Sequence, residues 1–371
     1  MSRVFRAPAR YVQGSGAISE IGTHAAEMGT KALFTAGKTA FNVCGSAVQA
    51  SLEDNKVGCH KETFSGECSN REIARLIRVA KANGADLVIA AGGGKVIDTG
   101  KAVAHEMRIP VIVAPTIAAT DAPCSALSVI YSEQGVFERY VVLPKNPDCV
   151  LVDTALVANA PVELLVSGMG DALATYWEAD TCARSCKPNV LTGACPPTLS
   201  SLALARLCYD TLLEYGLQAK LAVERKSVTP AVEAVVEANT LLSGLGFESG
   251  GLAGAHAVHN GLTVLEASHA NFHGHKVAFG LVTQMVLEGR PSKDVDQVLS
   301  FCLSVGLPVC LEDLDVSHPS REDIRRVAEA TTASGETIHS TWFPVAAEMV
   351  ESAIWAADAL GQAAKRRLRG A

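Results

Sequence analysis

Five of the ten histidines in this chain of 371 residues lie between positions 256 and 275. His256 and His259 are three residues apart in the small-sided segment "GGLAGAHAVHNG", which is predicted to be helical, so both imidazoles can face one side. Two imidazoles and a carboxylate around an open coordination position suit a catalytic divalent metal such as Zn²⁺ or Fe²⁺. The histidine-rich segment is therefore the first candidate for chemistry.

The carboxylate candidate is Asp171 in "SGMGDALATYW". A charge among the apolar and small residues of a helix is costly unless it is paired or bound to a cation. The spacing alone does not select Asp171, and a buried histidine that is hydrogen-bonded in the core is commoner than a ligand. At this point the roles of His259, His269 and His275 stay open.

The glycines at positions 92–94 separate the apolar run "DLVIAA" from a helix predicted to begin near Lys95. Glycines let the backbone approach an anion closely, and the helix start favours phosphate oxygens, so a pyrophosphate fits this loop. The loop is neither a P-loop, which needs glycine at Ile89, nor the GxGxxG fingerprint, which fails at Ile97. A tight turn without a ligand is the alternative.

A second loop, "APTIAATDAPCSALS", follows the next apolar run and supplies Thr116, Thr120, Asp121 and Ser125. The carboxyl ends of parallel strands meet at one edge of an open α/β sheet, where ligands bind. We therefore expect the two loops to lie at the same edge.

Four short, continuous apolar runs are predicted to be buried strands: residues 31–36, 86–91, 110–115 and 149–153. Ser69 and Glu72 have capping-box spacing and predict a helix between the first two of these strands. Two β-rich segments around Gln134 predict a hairpin added to the sheet, and only helical patterns follow Asp153. The sequence thus predicts an α/β dinucleotide-binding domain with a mostly parallel sheet (1–160) and an all-α, metal-binding and catalytic domain (161–371).

The composition excludes several classes of protein. Hydrophobic residues make up 48% of the chain and charged residues 19%, as in a globular protein with an ample core. The net charge of -7 argues against nucleic acid, and no apolar run approaches the ~20 residues that cross a membrane. Eleven scattered cysteines without a CxxC pair indicate reduced thiols and a cytoplasmic location. We also expect a homo-oligomer.

Taken together, several segments resemble the glycerol dehydrogenases of the iron-containing alcohol dehydrogenase superfamily. They include "GGGKVIDTGKAVA", "TDAPCSALSVIY", "SGMGDALATYWEA" and "HGHKVAFG", and the similarity extends from about Arg10 to about Ala363. The resemblance implies a dinucleotide domain, a helical domain and an active site in the cleft between them. It implies metal binding by Asp171, His256 and His273, with His256 also catalytic. His259 then lines or supports the site, or is a hydrogen-bonded core residue.

The same resemblance implies that Asp121 binds substrate hydroxyls as a second catalytic residue. It also implies dinucleotide contacts from the two loops and the segment after them: Gly93, Gly94, Lys95, Asp98, Thr116, Thr120, Ser125, Leu127 and Tyr131. For each of these residues the alternative interpretation is a structural role, in a turn or in the core, without ligand contact.

Gly37 departs from the family pattern. Glycerol dehydrogenases usually have Asp at this position, where an acidic residue binds the adenosine ribose and repels a 2′-phosphate, whereas this chain has Gly37 followed by Lys38 and Thr39. NAD is the expected cofactor, contacted near Gly37, but NADP is not excluded.

The segments that carry the expected ligands contain no Lys or Arg between Lys145 and Arg184, nor between Ser243 and Lys276. A neutral polyol therefore suits the site better than a carboxylate or phosphate. We expect a metal-dependent dehydrogenase that oxidises glycerol, or a similar vicinal diol, to dihydroxyacetone, with the metal acting as a Lewis acid on the hydroxyl. The alternatives are another alcohol or hydroxycarboxylate dehydrogenase of the superfamily, a dehydroquinate-synthase-like lyase, and a dinucleotide sensor.

Overall fold

The computed structural model describes residues 2–369, which divide into two compact units. The sheet unit comprises Arg6–Leu165 and Leu221–Gly244, and the helical unit comprises residues 2–5, 166–220 and 245–369. The predicted boundary after residue 160 lies close to the observed division after Leu165. Residues 221–244, which the predicted division places in the helical domain, belong to the sheet unit in this division.

Polar contacts hold residues 221–244 in the sheet unit. Gln13 donates a hydrogen bond from Nε2 to the Glu233 carbonyl oxygen at 2.9 Å, and Thr154 donates from Oγ1 to Glu233 Oε1 at 2.6 Å. The Tyr11 hydroxyl lies 2.7 Å from Thr240 Oγ1. Such contacts between residues far apart in sequence leave no periodic pattern, so the sequence did not reveal them.

Six parallel strands form the main sheet in the order β1-β8-β5-β4-β2-β3, and two antiparallel strands, β6 and β7, form a separate hairpin. The strands are β1 (Tyr11–Gly14), β2 (Lys31–Ala36), β3 (Gly58–Thr63), β4 (Leu87–Gly92), β5 (Val111–Pro115), β6 (Leu127–Tyr131), β7 (Phe137–Val142) and β8 (Cys149–Asp153). The four predicted buried strands and the parallel fold are confirmed. The hairpin is confirmed, but the prediction that it joins the main sheet is wrong, because among the described residues β6 and β7 pair only with each other.

The two edge strands of the sheet, β1 and β3, were not predicted. Both are only partly buried, and their sequences, "YVQG" and "GCHKET", contain few apolar residues. An edge strand packs against a neighbour on one side only, so it lacks the continuous apolar run that marks β4 or β5.

The helices are α1 (Ile21–Ala26), α2 (Lys38–Asp54), α3 (Asn70–Ala82), α4 (Gly94–Met107), α5 (Thr154–Asn159), α6 (Val162–Ser185), α7 (Leu199–Glu224), α8 (Pro230–Glu237), α9 (Ser243–Gly250), α10 (Gly254–Leu262), α11 (His273–Leu287), α12 (Ser292–Val305), α13 (Arg321–Thr331) and α14 (Ala347–Arg369). Ala238–Leu242 forms a π-helical turn between α8 and α9. Residues 154–369 are described without a strand, as predicted. In residues 2–369 no helix has both the length and the apolar character needed to cross a bilayer.

Close backbone contacts bring the helices of the helical unit together. A Cβ atom on Gly274 of α11 would overlap the Ser167 carbonyl oxygen of α6, and one on Gly170 would overlap the Gly274 carbonyl oxygen. The two helices can therefore cross at this distance only because both positions are glycine. Since Asp171 follows Gly170 and His273 precedes Gly274, this crossing places the two side chains next to each other.

Candidate metal centre and ligand-binding loops

Asp171 of α6, His256 of α10 and His273 of α11 bring one carboxylate oxygen and two imidazole nitrogens within 4.8 Å of one another. Asp171 Oδ1 lies 3.1 Å from His273 Nε2 and 3.3 Å from His256 Nε2. Ligand atoms that surround a tetrahedral zinc ion at 2.0–2.1 Å are about 3.3 Å apart. The three residues named from the sequence thus have the spacing of a divalent metal site.

The electrostatics of the cluster also favour a cation. Asp171 is 1% exposed, and burial by itself would raise its pKa, yet His273 and His256 hold that pKa well below its usual range. Burial would lower the pKa of His256, but the carboxylates of Glu178 and Asp171 raise it well above its ordinary value. The buried carboxylates of Asp171 and Glu178 are therefore stabilised by nearby positive charge. A divalent ion would supply that charge while both imidazoles stay neutral.

Glu178 is a residue of this site that the sequence reasoning missed. It is completely buried on α6, and its Oε2 lies 2.7 Å from Nδ1 of His256. The available signal was its position seven residues after Asp171, which places both carboxylates on the same face of one apolar helix.

His259 lies beside the cluster and contacts one of its members. Its Nε2 is 3.0 Å from His273 Nδ1, and its Nδ1 is 3.0 Å from Asn260 Oδ1. Burial, with additional repulsion from His273 and His256, lowers the pKa of His259 well below its ordinary value, so this imidazole is neutral. Its position fits the supporting role that the resemblance implied.

The remaining two histidines of the segment make other contacts. His269 Nε2 lies 2.8 Å from the Thr263 carbonyl oxygen, and the His275 ring packs edge-on against Phe272. The cluster of three ligand side chains that the structure describes includes neither of them.

In the sheet unit, the glycine loop joins β4 to α4 as predicted. Gly92 ends β4 with φ +144°, a conformation that L side chains rarely adopt, and Gly93 caps the start of α4. The first N–H groups of a helix have no partner within the helix and attract anions. A Cβ atom on Gly94 would lie 3.6 Å from Thr120 Oγ1, so the two predicted loops adjoin at the carboxyl edge of the sheet.

The second loop is held from both sides. The Thr116 N–H donates to the Gly92 carbonyl oxygen at 3.1 Å, which joins it to the glycine loop. Asn239 Nδ2 donates to the Ala118 carbonyl oxygen at 2.9 Å, and Ser243 Oγ donates to Asp121 Oδ2 at 2.8 Å. The π-helical turn and the start of α9 therefore fix the backbone that carries Thr120 and the Asp121 carboxylate.

Asp98, another of the predicted cofactor contacts, lies in a network of buried polar groups, and its contact with a dinucleotide stays a prediction. It is buried, forms a 2.9 Å ion pair with Lys101 and accepts the Val129 N–H at 2.9 Å. Lys101, which the sequence reasoning also missed, donates to the Ala122 and Ser125 carbonyl oxygens at 2.9 and 3.3 Å. Asp98 and Lys101 thus position the hairpin and the second loop. The sequence signal was an oppositely charged pair three residues apart in an apolar helix.

The other predicted cofactor contacts lie around these loops. Lys95 Nζ forms a 2.6 Å ion pair with Glu67 and lies 5.3 Å from the centre of the Tyr131 ring. Ser125 and Leu127 are both buried at the base of the hairpin, and Ser125 Oγ donates to the Ala122 carbonyl oxygen at 3.3 Å. These contacts connect the predicted residues to one another, and their contact with a dinucleotide stays a prediction.

Gly37 directly follows β2 and caps α2 with ordinary extended angles, φ -70° and ψ 163°. No atom lies within 4 Å of the position that a Cβ would take. A side chain is therefore tolerated here without strain, so the backbone conformation does not require glycine at position 37.

Comparison with known proteins shows the family to which the chain is related. Residues 8–154 match the profile of the family described as iron-containing alcohol dehydrogenase. A glycerol dehydrogenase from Thermotoga maritima is 51% identical over 96% of this chain and 97% of its own length. One from Citrobacter freundii is 49% identical over 98% of this chain and 99% of its own. The crystal structure of glycerol dehydrogenase from Schizosaccharomyces pombe is 38% identical, with a TM-score of 0.95 over 99% of this chain and 93% of that one.

The chain belongs to the iron-containing alcohol dehydrogenase family. The identity with the two bacterial relatives covers nearly the whole of each chain, so both the glycine loop and the metal cluster lie inside the matched region. The family and fold expected from the sequence are confirmed.

Proposed function

We propose that this protein is a metal-dependent dehydrogenase that oxidises glycerol to dihydroxyacetone and transfers the hydride to NAD⁺. The observation that carries the proposal is the buried cluster of Asp171, His256 and His273 in a chain about half identical to two glycerol dehydrogenases. We propose Zn²⁺ as the resident ion, with Fe²⁺ as the alternative. A cytoplasmic location and a homo-oligomeric state stay predictions.

The chemistry divides between the ion and the side chains. A divalent cation held by the three ligands would act as a Lewis acid and lower the pKa of the substrate hydroxyl. With Asp171, His256 and His273 as its protein ligands, such a cation would have a position for that hydroxyl. The Asp121 carboxylate, which accepts a hydrogen bond from the Ser243 hydroxyl at 2.8 Å, is the proposed acceptor for substrate hydroxyls.

The charge near the ligands supports a neutral substrate. The ligand-bearing segments contain no Lys or Arg between Lys145 and Arg184 or between Ser243 and Lys276. Lys276 itself is buried and donates from Nζ to the Asn271 carbonyl oxygen at 2.7 Å, so it supports a turn. A carboxylate or phosphate substrate would lack a cation from these segments, whereas a polyol needs none.

For the cofactor, the start of α4 offers the pyrophosphate site. Gly94 and Lys95 are its first residues, and the neighbouring Thr116 and Thr120 provide hydroxyl groups on the adjoining loop. The open space at Gly37 and the exposed Lys38 beside it leave room for a 2′-phosphate, so NADP⁺ is the second cofactor to test.

A substrate panel tests the proposal. Purified protein is incubated with NAD⁺ and glycerol, lactate or a phosphorylated acid, with and without a chelator, while absorbance of the reduced nicotinamide is followed. We expect chelator-sensitive reduction with glycerol and much slower reduction with the two acids. Faster reduction of NAD⁺ with lactate would favour a hydroxycarboxylate dehydrogenase, whereas loss of phosphate from the phosphorylated acid without net reduction of NAD⁺ would favour a lyase. Cofactor binding without turnover of any substrate would favour a sensor.

A further inference from the structure

Glu178, beside the proposed metal centre, contacts both the backbone and the ring of His256. It lies on α6, and its carboxylate is 0% exposed. A buried carboxylate with no strong partner is unfavourable, so the contacts that compensate its burial show what it does.

The first set of contacts is with the start of α10. Glu178 Oε1 accepts the Ala253 N–H at 2.8 Å and the His256 N–H at 3.1 Å. The residue before the helix is Ala253, which has no side chain that could cap it. Gln284 of α11 accepts the Ala255 N–H at 2.8 Å. Two residues from other helices therefore supply the cap that the sequence of α10 lacks, and Glu178 is the charged one.

The second contact is with the imidazole of His256. Glu178 Oε2 lies 2.7 Å from Nδ1, and on the other side of the ring Nε2 lies 3.3 Å from Asp171 Oδ1. A carboxylate can only accept, so Nδ1 donates in this contact and Nε2 is the ring nitrogen left to bind a metal ion. A carboxylate bonded to Nδ1 also makes the opposite nitrogen a stronger ligand.

We propose that Glu178 is a positioning residue of the metal centre, which fixes both the backbone and the ring of His256 so that Nε2 is presented to the ion. It also adds a buried negative charge next to the ligands, which favours a divalent cation over neutral occupants. The inference rests on the proposed metal-dependent function, but it concerns metal binding and is testable without turnover.

The test is the zinc affinity of Glu178→Gln in the full-length protein, measured by competition with a chromophoric chelator. Glutamine keeps the size and one acceptor oxygen but removes the charge. We expect zinc to bind 10- to 100-fold more weakly, the range typical for loss of a group that orients a ligand. We also expect the visible absorption bands of the Co²⁺-substituted protein to shift, because the orientation of His256 changes.

Glu72→Gln is the matched control. Glu72 is also a buried carboxylate, but it lies in the sheet unit, where it pairs with Arg75 and accepts the Ser65 N–H at 3.0 Å. This variant should lower the melting temperature while zinc affinity stays within about threefold of wild type. An equal loss of zinc affinity in both variants would overturn the proposal, because any buried carboxylate would then have the same effect.

Unchanged zinc affinity and an unchanged Co²⁺ spectrum in folded Glu178→Gln would also overturn it. Glu178→Asp, which keeps the charge but shortens the side chain, is measured alongside and should bind zinc with intermediate affinity. If neither variant folds even with zinc present, Glu178 is a structural element of the fold and the proposal is wrong. If zinc binding weakens as expected but the wild type does not oxidise glycerol, this inference stands and the proposed function fails.

Discussion

At the level of single residues, the site is defined by which charges are buried and what neutralises them. Asp171 and Glu178 are both buried carboxylates, and both face His256. A second imidazole, that of His273, contacts the same oxygen of Asp171 as His256 does. This excess of buried negative charge, rather than the number of histidines, distinguishes a metal centre from a hydrogen-bonded core.

Replacement of Asp121 by Ala should affect the polyol much more than the dinucleotide. Loss of a charged acceptor for substrate hydroxyls is expected to raise the Michaelis constant for glycerol about tenfold or more, which corresponds to ~1.4 kcal/mol. Steady-state kinetics with each substrate varied in turn measures the two constants. Asp121→Asn, which keeps the shape, is the control and should have a smaller effect. Equal increases for glycerol and NAD⁺ would mean that Asp121 organises the cofactor loop.

At the level of elements, both proposed sites depend on backbone positions that side chains would disturb. The crossing of α6 and α11 requires glycine at 170 and 274, and the turn from β4 into α4 requires it at Gly92. The sequence identified the glycine loop because consecutive glycines between a strand and a helix have a known use. It gave no comparable signal for Gly170 and Gly274, whose partners lie far apart along the chain.

Gly274→Ala should therefore lower both stability and metal retention. The added Cβ overlaps the Ser167 carbonyl oxygen, and overpacking of this kind costs about 1–3 kcal/mol, or a fall of roughly 3–10 °C in melting temperature. Gly14→Ala is the control, because nothing lies within 4 Å of its Cβ position. Thermal unfolding and zinc analysis of both variants check this, and a Gly274→Ala protein as stable as wild type would contradict the described crossing.

The loop after β2 should set the choice between NAD⁺ and NADP⁺. Because no acidic residue follows β2, we expect wild type to use NADP⁺ within about tenfold of NAD⁺, a difference of ~1.4 kcal/mol. Gly37→Asp fits without strain and should reduce NADP⁺ use about tenfold by charge repulsion, while Gly37→Asn, of equal size, should not. The ratio of kcat/KM values measures this. Wild-type rejection of NADP⁺ by a thousandfold would show that Gly37 has no such role.

At the level of the whole molecule, the chain consists of a sheet unit that carries the proposed nucleotide loops and a helical unit that carries the metal ligands. The α/β and all-α halves could be predicted, because buried parallel strands and amphipathic helices leave continuous patterns. The placement of residues 221–244 could not, since it depends on contacts such as that between Gln13 and Glu233. The helical spacing from Asp171 could have identified Glu178 as a buried carboxylate, but not its pairing with His256, which is 78 residues away.

Metal removal and reconstitution tests the central claim most directly. Wild-type protein is stripped with a chelator, titrated with Zn²⁺ or Fe²⁺, and assayed for glycerol-dependent reduction of NAD⁺ against metal content. We expect activity to vanish in the stripped protein and to return in proportion to bound metal, up to one ion per chain, while folded Asp171→Ala and His256→Ala variants bind little metal and stay inactive. Full activity in the metal-free protein, or in the two variants, would contradict the account.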